Sequence, residues 1–246
     1  MLVWRQTKEV KLRSDKEVFS KTNNLTHPIR PNTINGEKKV VGNKLSTIHL
    51  LLLMFVITVF IWSIIKPEGY LIWLLEVLPA LVVLLISIAM YNKFRLTTLS
   101  YIIIAILSIM MFVGGHYTYS RVPFFNWVKD YFDLNRNHYD RFGHFLKGLI
   151  TIVIREILIR KTPLTRGKWL NILAISMSLA IGALYEIIEW LASKVKGGQA
   201  TKDFLGTQGD IWDSQWDMSC TLIGSIVALS IFSKLHNRLL KEKIKD

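Results

Sequence analysis

Six apolar stretches, at residues 46–65, 71–91, 96–113, 141–159, 168–191 and 216–232, alternate with shorter polar segments along the chain. Each is close to the roughly 20 residues that an α-helix needs to cross about 30 Å of hydrocarbon. The pattern predicts an all-α fold: a polytopic membrane helical bundle of about six transmembrane helices over residues 46–235. The fourth stretch is the most interrupted, by Arg141, His144, Lys147, Arg155 and Glu156. Residues 1–45 show no sustained period, contain Pro28 and Pro31, and predict a mobile basic arm on the cytoplasmic side. Residues 236–246 predict a basic cytoplasmic tail. The first 45 residues lack the apolar core of a cleaved signal, so the first apolar stretch is expected to act as an uncleaved signal-anchor.

Composition strengthens the membrane reading. Hydrophobic residues make up 51% of the chain, a content that soluble domains rarely combine with runs this long. The net charge of +13 would suit nucleic acid, but its distribution argues against that partner. The bases cluster at Lys38, Lys39 and Lys44, at Lys93 and Arg95, at Arg160, Lys161, Arg166 and Lys168, and from Lys234 to Lys245. Those four segments fall on one side of a six-span chain, which the positive-inside rule makes cytoplasmic, with both termini inside. The opposite side carries Tyr70, Trp73, Tyr117, Tyr119, Trp127, Trp190, Trp212 and Trp216, the composition of an interfacial aromatic belt. Cys220 is the single cysteine, which excludes an intramolecular disulfide and a thiolate metal cluster.

Against this background the acids and histidines of three short strings stand out. They are Asp140 and His144 in YDRFGHF, Glu186 and Glu189 in YEIIEW, and Asp210, Asp213 and Asp217 in GDIWDSQWD. Ionisable groups at the edge of a bilayer are costly and mark functional sites by default. The topology gathers all of them on the outer side, together with His116 at the end of the third span and Glu76 about one turn inside the second. Asp140 and His144 are four residues apart and Glu186 and Glu189 three apart, so each pair shares a helix face. Helical bundles build carboxylate and histidine metal sites from such inward-facing pairs. The predicted ligands are His116, His144, Glu189, Asp213 and Asp217. Glu186, Glu189 and Asp140 are the candidate acid/base groups, and Glu76, Asp210, Arg141 and Tyr185 complete the pocket. Histidines with carboxylates suit Zn, Mn or Fe(II), and carboxylates alone suit Mg or Ca.

Simpler roles compete. Each aspartate can cap a helix N-terminus, where negative charge is favourable. Capping does not account for Glu186 and Glu189, at the C-terminal end of the fifth span, nor for His144 within the fourth. Arg155 and Lys147 are expected to snorkel or to pair within the fourth span. His49 and His236 receive no role. Neither a Gly-rich phosphate loop nor a serine-nucleophile motif is present.

The segments GGHYTYSRVP, RNHYDRFGHFLKG, ALYEIIEWLAS and FLGTQGDIWDSQWDM occur in the order seen in the YjdF-type family of bacterial inner-membrane proteins, which the chain resembles from about residue 46 to residue 232. More distantly it is similar to VanZ-like membrane proteins. Their Asp-x-x-x-His, later Glu and final Asp string match Asp140 and His144, Glu186 or Glu189, and Asp213 or Asp217. The resemblance implies a multi-pass protein of the bacterial plasma (inner) membrane with a link to the cell envelope. The expected function is therefore an outward-facing pocket that binds a divalent metal (Zn, Mn or Mg) and acts on, or binds, an envelope lipid or lipid-linked substrate. As an enzyme it would be a metal-dependent hydrolase or transferase. The alternatives are a proton or cation pathway, or a scaffold or partner subunit, with the same residues as a buried polar network.

Overall fold

The computed structural model describes residues 34–196 and 208–244. The expectations for residues 1–33 and for residues 197–207, between the fifth and sixth spans, lie outside them. The chain divides into two units, Met1–Lys44 and Leu45–Asp246, and the second holds the bundle. The elements of the described residues are α1 (Ile34–Ile64), α2 (Tyr70–Ala89), α3 (Thr98–Tyr117), a 3-10 turn at Tyr119–Arg121, α4 (Pro123–Tyr131), α5 (Tyr139–Lys147), α6 (Ile150–Lys161), α7 (Lys168–Lys196) and α8 (Asp213–Ile244). Among the described residues there is no strand.

Among the described residues, five helical segments are long and apolar enough to cross a membrane: Thr47–Ile64, Tyr70–Ala89, Thr98–Tyr117, Lys168–Leu191 and Asp213–Lys243. The expected fourth span is instead two helices, α5 and α6, joined at Gly148–Leu149. The join is a tightened turn rather than a bend away from the bundle. Leu149 N–H donates to the Leu146 carbonyl at 2.8 Å and Ile152 N–H to that of Leu149 at 3.0 Å, the i to i−3 pattern of a 3-10 turn. The pair keeps one direction through it. His144 lies beside Thr221 of α8, and Arg155 lies beside His236 further along the same helix. Tyr139 hydroxyl donates to the Met110 carbonyl near one end of α3, while Glu156 meets Thr97 at the other. Together α5 and α6 therefore run the length of α3, antiparallel to it and parallel to α8.

Close helix approach fixes this register. A Cβ on Gly224 would meet the Phe145 carbonyl oxygen at 2.0 Å, and one on Gly148 would meet Ser225 N at 2.5 Å. Only glycine lets these backbones touch, as in small-residue interfaces between membrane helices. The contact seats His144 against α8. α3 is the most enclosed long helix, buried over 61% of its apolar window, and the others turn large apolar side chains such as Leu85, Ile86 and Ile61 outward. On α2, Trp73, Glu76, Val77 and Ala80 share the inward face, so Glu76 is carried into the bundle by ordinary helical periodicity. α8 continues through the C-terminal basic segment to Ile244 and buries His236 and Leu240 completely.

Candidate functional site

At one end of the bundle, α2, α5, α7 and α8 enclose a chamber of acidic groups. α5 places Asp140, His144 and Lys147 on one face through its i, i+4, i+7 spacing. His144 is 1% exposed and sits at the centre. Its Nε2 lies 3.7 Å from Asp140 Oδ1, 3.3 Å from Glu186 Oε1 and 2.8 Å from Lys147 Nζ. Its Nδ1 lies 3.4 Å from Thr221 Oγ1, which donates to the His144 carbonyl at 3.2 Å. This arrangement assigns the ring proton to Nδ1, where the Thr221 oxygen can accept it. The Nε2 lone pair is then turned toward two carboxylates and an ammonium.

Three more acids border this centre. Asp217 is 2% exposed and its Oδ1 has no hydrogen-bond partner. Glu76 is 1% exposed beside the Tyr119 backbone, and it lies in Coulombic range of Asp140 and Lys147. Glu189 is buried in range of Glu186, Asp140 and Asp217. One ligand atom each from Asp140, His144 and Asp217 falls within a 4.8 Å sphere of mutual separation. Thus, among the described residues, five carboxyl groups face a single ammonium, Lys147. Its Nζ rests over the Tyr185 ring at 4.2 Å and the Tyr119 ring at 5.7 Å from their centroids, a cation–π arrangement. A buried excess of carboxylates is stable only with protons or a further cation.

A second layer covers the chamber. Arg136 bonds Asp213, and Arg141 bonds Asp210. Cross-contacts of 3.9 Å (Arg136 to Asp210) and 3.7 Å (Arg141 to Asp213) close the four groups into one ion-pair lattice. Arg141 also lies over the Trp216 ring. The Trp212 backbone N–H and the Arg141 guanidinium beside Asp210 hold its carboxyl below the usual carboxylate range. Asn137 pins the loop before α5: its side chain donates to Asn126 and Val122 and accepts from Tyr139 N–H, and its backbone exchanges two bonds with Gln208.

The structure brings together Asp140, His144, Glu186, Glu189, Asp217, Glu76 and Tyr185. Two of the residues expected as metal ligands lie apart from this group. His116 is turned away, with its ring 4.3 Å from that of Trp62 and Nδ1 3.2 Å from the Ser63 carbonyl, because its face of α3 packs on α1. Asp213 is engaged by Arg136 and Arg141 in the covering lattice with Asp210. The residues that sequence reasoning missed at this end are Lys147, placed with the snorkelling bases, and Tyr119, Arg136, Asn137 and Thr221. Lys147 was findable, since it continues the Asp140–His144 face.

The opposite end is not merely basic. Glu156 is fully buried and accepts from Thr97 N–H at 2.9 Å, Thr97 hydroxyl at 2.7 Å, Ser100 hydroxyl at 2.6 Å and Arg160 at 2.9 Å. Arg155 does not snorkel: it is 3% exposed and bonds His236, Asn237 and Asn171. His236 and His49, given no role, are both buried hydrogen-bonded groups.

A family model described as a predicted membrane protein (DUF2238) matches residues 48–238. The chain belongs to that family. It is 40% identical over 184 residues to the inner membrane protein YjdF of Escherichia coli (strain K12), across 74% of this chain and 88% of that protein. No solved structure matches. As a DUF2238 member the chain is a multi-pass integral protein of the bacterial inner membrane.

Proposed function

We propose that this protein uses the acidic chamber to hold a divalent metal, and that the metal site faces outward and acts on or binds an envelope lipid or lipid-linked substrate. The observation that carries the metal is the convergence of Asp140, His144 and Asp217 from two helices, with a lone pair and an unpartnered carboxylate oxygen aimed into the same space. Bonds of about 2.0–2.2 Å to Zn would draw these atoms slightly inward from their present spread. Asp140, His144 and Asp217 are the ligands in this reading, and Glu186 and Glu189 are placed to move a proton. The metal would supply Lewis-acid polarisation or an activated water. The lipid part is supported by an apolar cavity of about 120 Å³ that begins at Lys147, Tyr185 and Thr221 and continues along Pro79, Val83 and Ile181. A hydrocarbon chain lying there would leave its polar end at the chamber.

The test is metal content. Full-length protein in detergent, stripped with chelator and reloaded with Zn, Mn or Mg, is expected to retain one equivalent of one of them by elemental analysis. Asp217→Asn and His144→Ala lose it, and His116→Ala keeps it. Protein that holds no metal under any of these loads overturns the reading.

A proton or cation pathway is the second reading, favoured by buried polar groups at both ends of the bundle. Between them lie Thr221 and the hydrogen-bonded pair Ser225 and Ser178, 3.2 Å apart. A pathway needs such groups through the depth of the membrane. Liposome flux that falls in Glu76→Gln and Glu186→Gln supports it, and background flux in the parent protein removes it.

A further inference from the structure

Among its described residues, α1 meets the rest of the bundle on either side of a gap. Toward one end Val56 and Phe60 pack into the core, and Ser63 accepts from the Trp73 indole at 3.2 Å. Toward the other end His49 bonds Tyr91 hydroxyl at 2.8 Å and Thr98 hydroxyl at 3.1 Å. Between these contacts α1, α2 and α3 leave a cavity of about 420 Å³, whose lining includes none of the chamber's acidic residues. That volume is within the range of small-molecule sites. Its walls are hydrocarbon, from Leu53, Val56, Leu84, Ile88, Ile104 and Ala105, and Leu50 and Ile88 at the rim are half exposed.

The polar groups of this cavity gather at one end. His49, Tyr91, Asn92 and Tyr101 line it there. Arg95 adjoins them: its guanidinium lies 3.5 Å from His49 Nδ1 and over the Tyr91 ring at 5.0 Å from the centroid. Among the described residues no carboxylate is within ion-pair distance of Arg95, whereas the neighbouring Arg160 has Glu156. Lys243 adds a second positive charge in range of His49. A long apolar wall ending in a guanidinium with no described carboxylate beside it is the complement of an amphiphile with an anionic head.

We propose that this cavity binds an anionic phospholipid, with one acyl chain between α1, α2 and α3 and the phosphate against Arg95. Apolar walls give the chain contacts that a void would forfeit. Arg95 offers the planar donor pair that suits phosphate oxygens. The site is distinct from the chamber and does not depend on its function. A zwitterionic lipid could fill the same apolar volume, but its head would leave the guanidinium only partly compensated. Free phosphate would satisfy Arg95 and leave the walls empty.

Native mass spectrometry of the full chain in detergent, titrated with phosphatidylglycerol, with phosphatidylcholine of identical chains and with inorganic phosphate, separates these cases. The parent protein is expected to retain phosphatidylglycerol preferentially. Arg95→Gln should weaken that lipid about fivefold or more, the effect of one lost surface charge, with little change for phosphatidylcholine. Ala105→Phe, which fills the cavity, should weaken both lipids. Ile88→Trp does the same from the exposed rim and serves if Ala105→Phe fails to fold. Equal retention of the two lipids by the parent overturns the proposal. So does an unchanged preference in Arg95→Gln, or full competition by inorganic phosphate with no effect of either cavity-filling variant.

Discussion

Lys147 Nζ lies 2.8 Å from His144 Nε2, so the ammonium donates to the nitrogen that also faces Asp140 and Glu186. The lysine therefore stands where a cation balancing those carboxylates would stand. Three residues on two successive turns of one helix supply an acid, an imidazole lone pair and a tethered positive charge. In the metal reading Lys147 competes with the ion for the same electrons.

Lys147→Met should accordingly tighten divalent metal binding. A tightening of about tenfold, or ~1.4 kcal/mol, is modest beside the ~4 kcal/mol that a unit charge contributes at 4 Å and an effective dielectric of 20. Isothermal titration of chelator-stripped protein measures it. Unchanged or weaker binding would mean that Lys147 supports the site rather than occupying it.

The Gly224–Phe145 contact predicts a sharp steric contrast. Gly224→Leu places a Cβ where the Phe145 carbonyl oxygen already sits at 2.0 Å, so α5 and α8 must separate. Overpacking of this kind costs typically 1–3 kcal/mol, and the backbone contact puts this variant toward the upper end. Separation also pulls His144 from Thr221 and Asp217, so metal binding should be lost with the stability. Gly182→Ala is the control: its Cβ would meet Thr221 Cγ2 at 3.5 Å, an ordinary contact, and should be tolerated. Thermal unfolding in detergent should separate the two.

Much of this arrangement is readable from residue spacing. Apolar runs locate the long helices, and the four-residue step from Asp140 to His144 and the three-residue step from Glu186 to Glu189 place their side chains on shared faces. Other features need the third dimension. His116 is near the correct end of its helix, but nearness to an end does not say which face meets which neighbour, and its face meets α1. Gly148 reads as one tolerated glycine in an apolar run until Gly224 is found opposite it. Glu156 reads as an interruption, because its partners Thr97, Ser100 and His236 come from distant segments with no local signature. Arg155 has the composition of a snorkelling base and the surroundings of a buried one.

Glu156 makes a further prediction, independent of the chamber. Its carboxylate gathers donors from α3 and its N-cap and offsets Arg160 and the nearby Arg155. Removing one partner of a buried charged network costs roughly 3–5 kcal/mol, because the remaining charges stay desolvated. Glu156→Leu should therefore lower the unfolding temperature strongly while leaving the metal stoichiometry of the surviving folded protein unchanged. Loss of metal without loss of stability would instead couple the two ends, as the pathway reading requires.

The broken α5–α6 element sets the topology, and one pair of cysteines tests it. Asn135 precedes α5 and Thr165 follows α6, and both are exposed. If α5 and α6 cross the membrane as one unit, the two positions lie on opposite sides. On the positive-inside rule the basic loop around Arg160, Lys161 and Arg166 would make Thr165 cytoplasmic, and Asn135 and the chamber would then lie outside. In a Cys220→Ser background, Asn135→Cys should react with a membrane-impermeant maleimide in intact spheroplasts, and Thr165→Cys only after lysis. Labelling of both from outside would show that the pair enters and returns on one side. Labelling of Thr165→Cys alone would preserve the crossing and reverse the chamber to the cytoplasm, which removes an envelope lipid of the outer leaflet as its substrate.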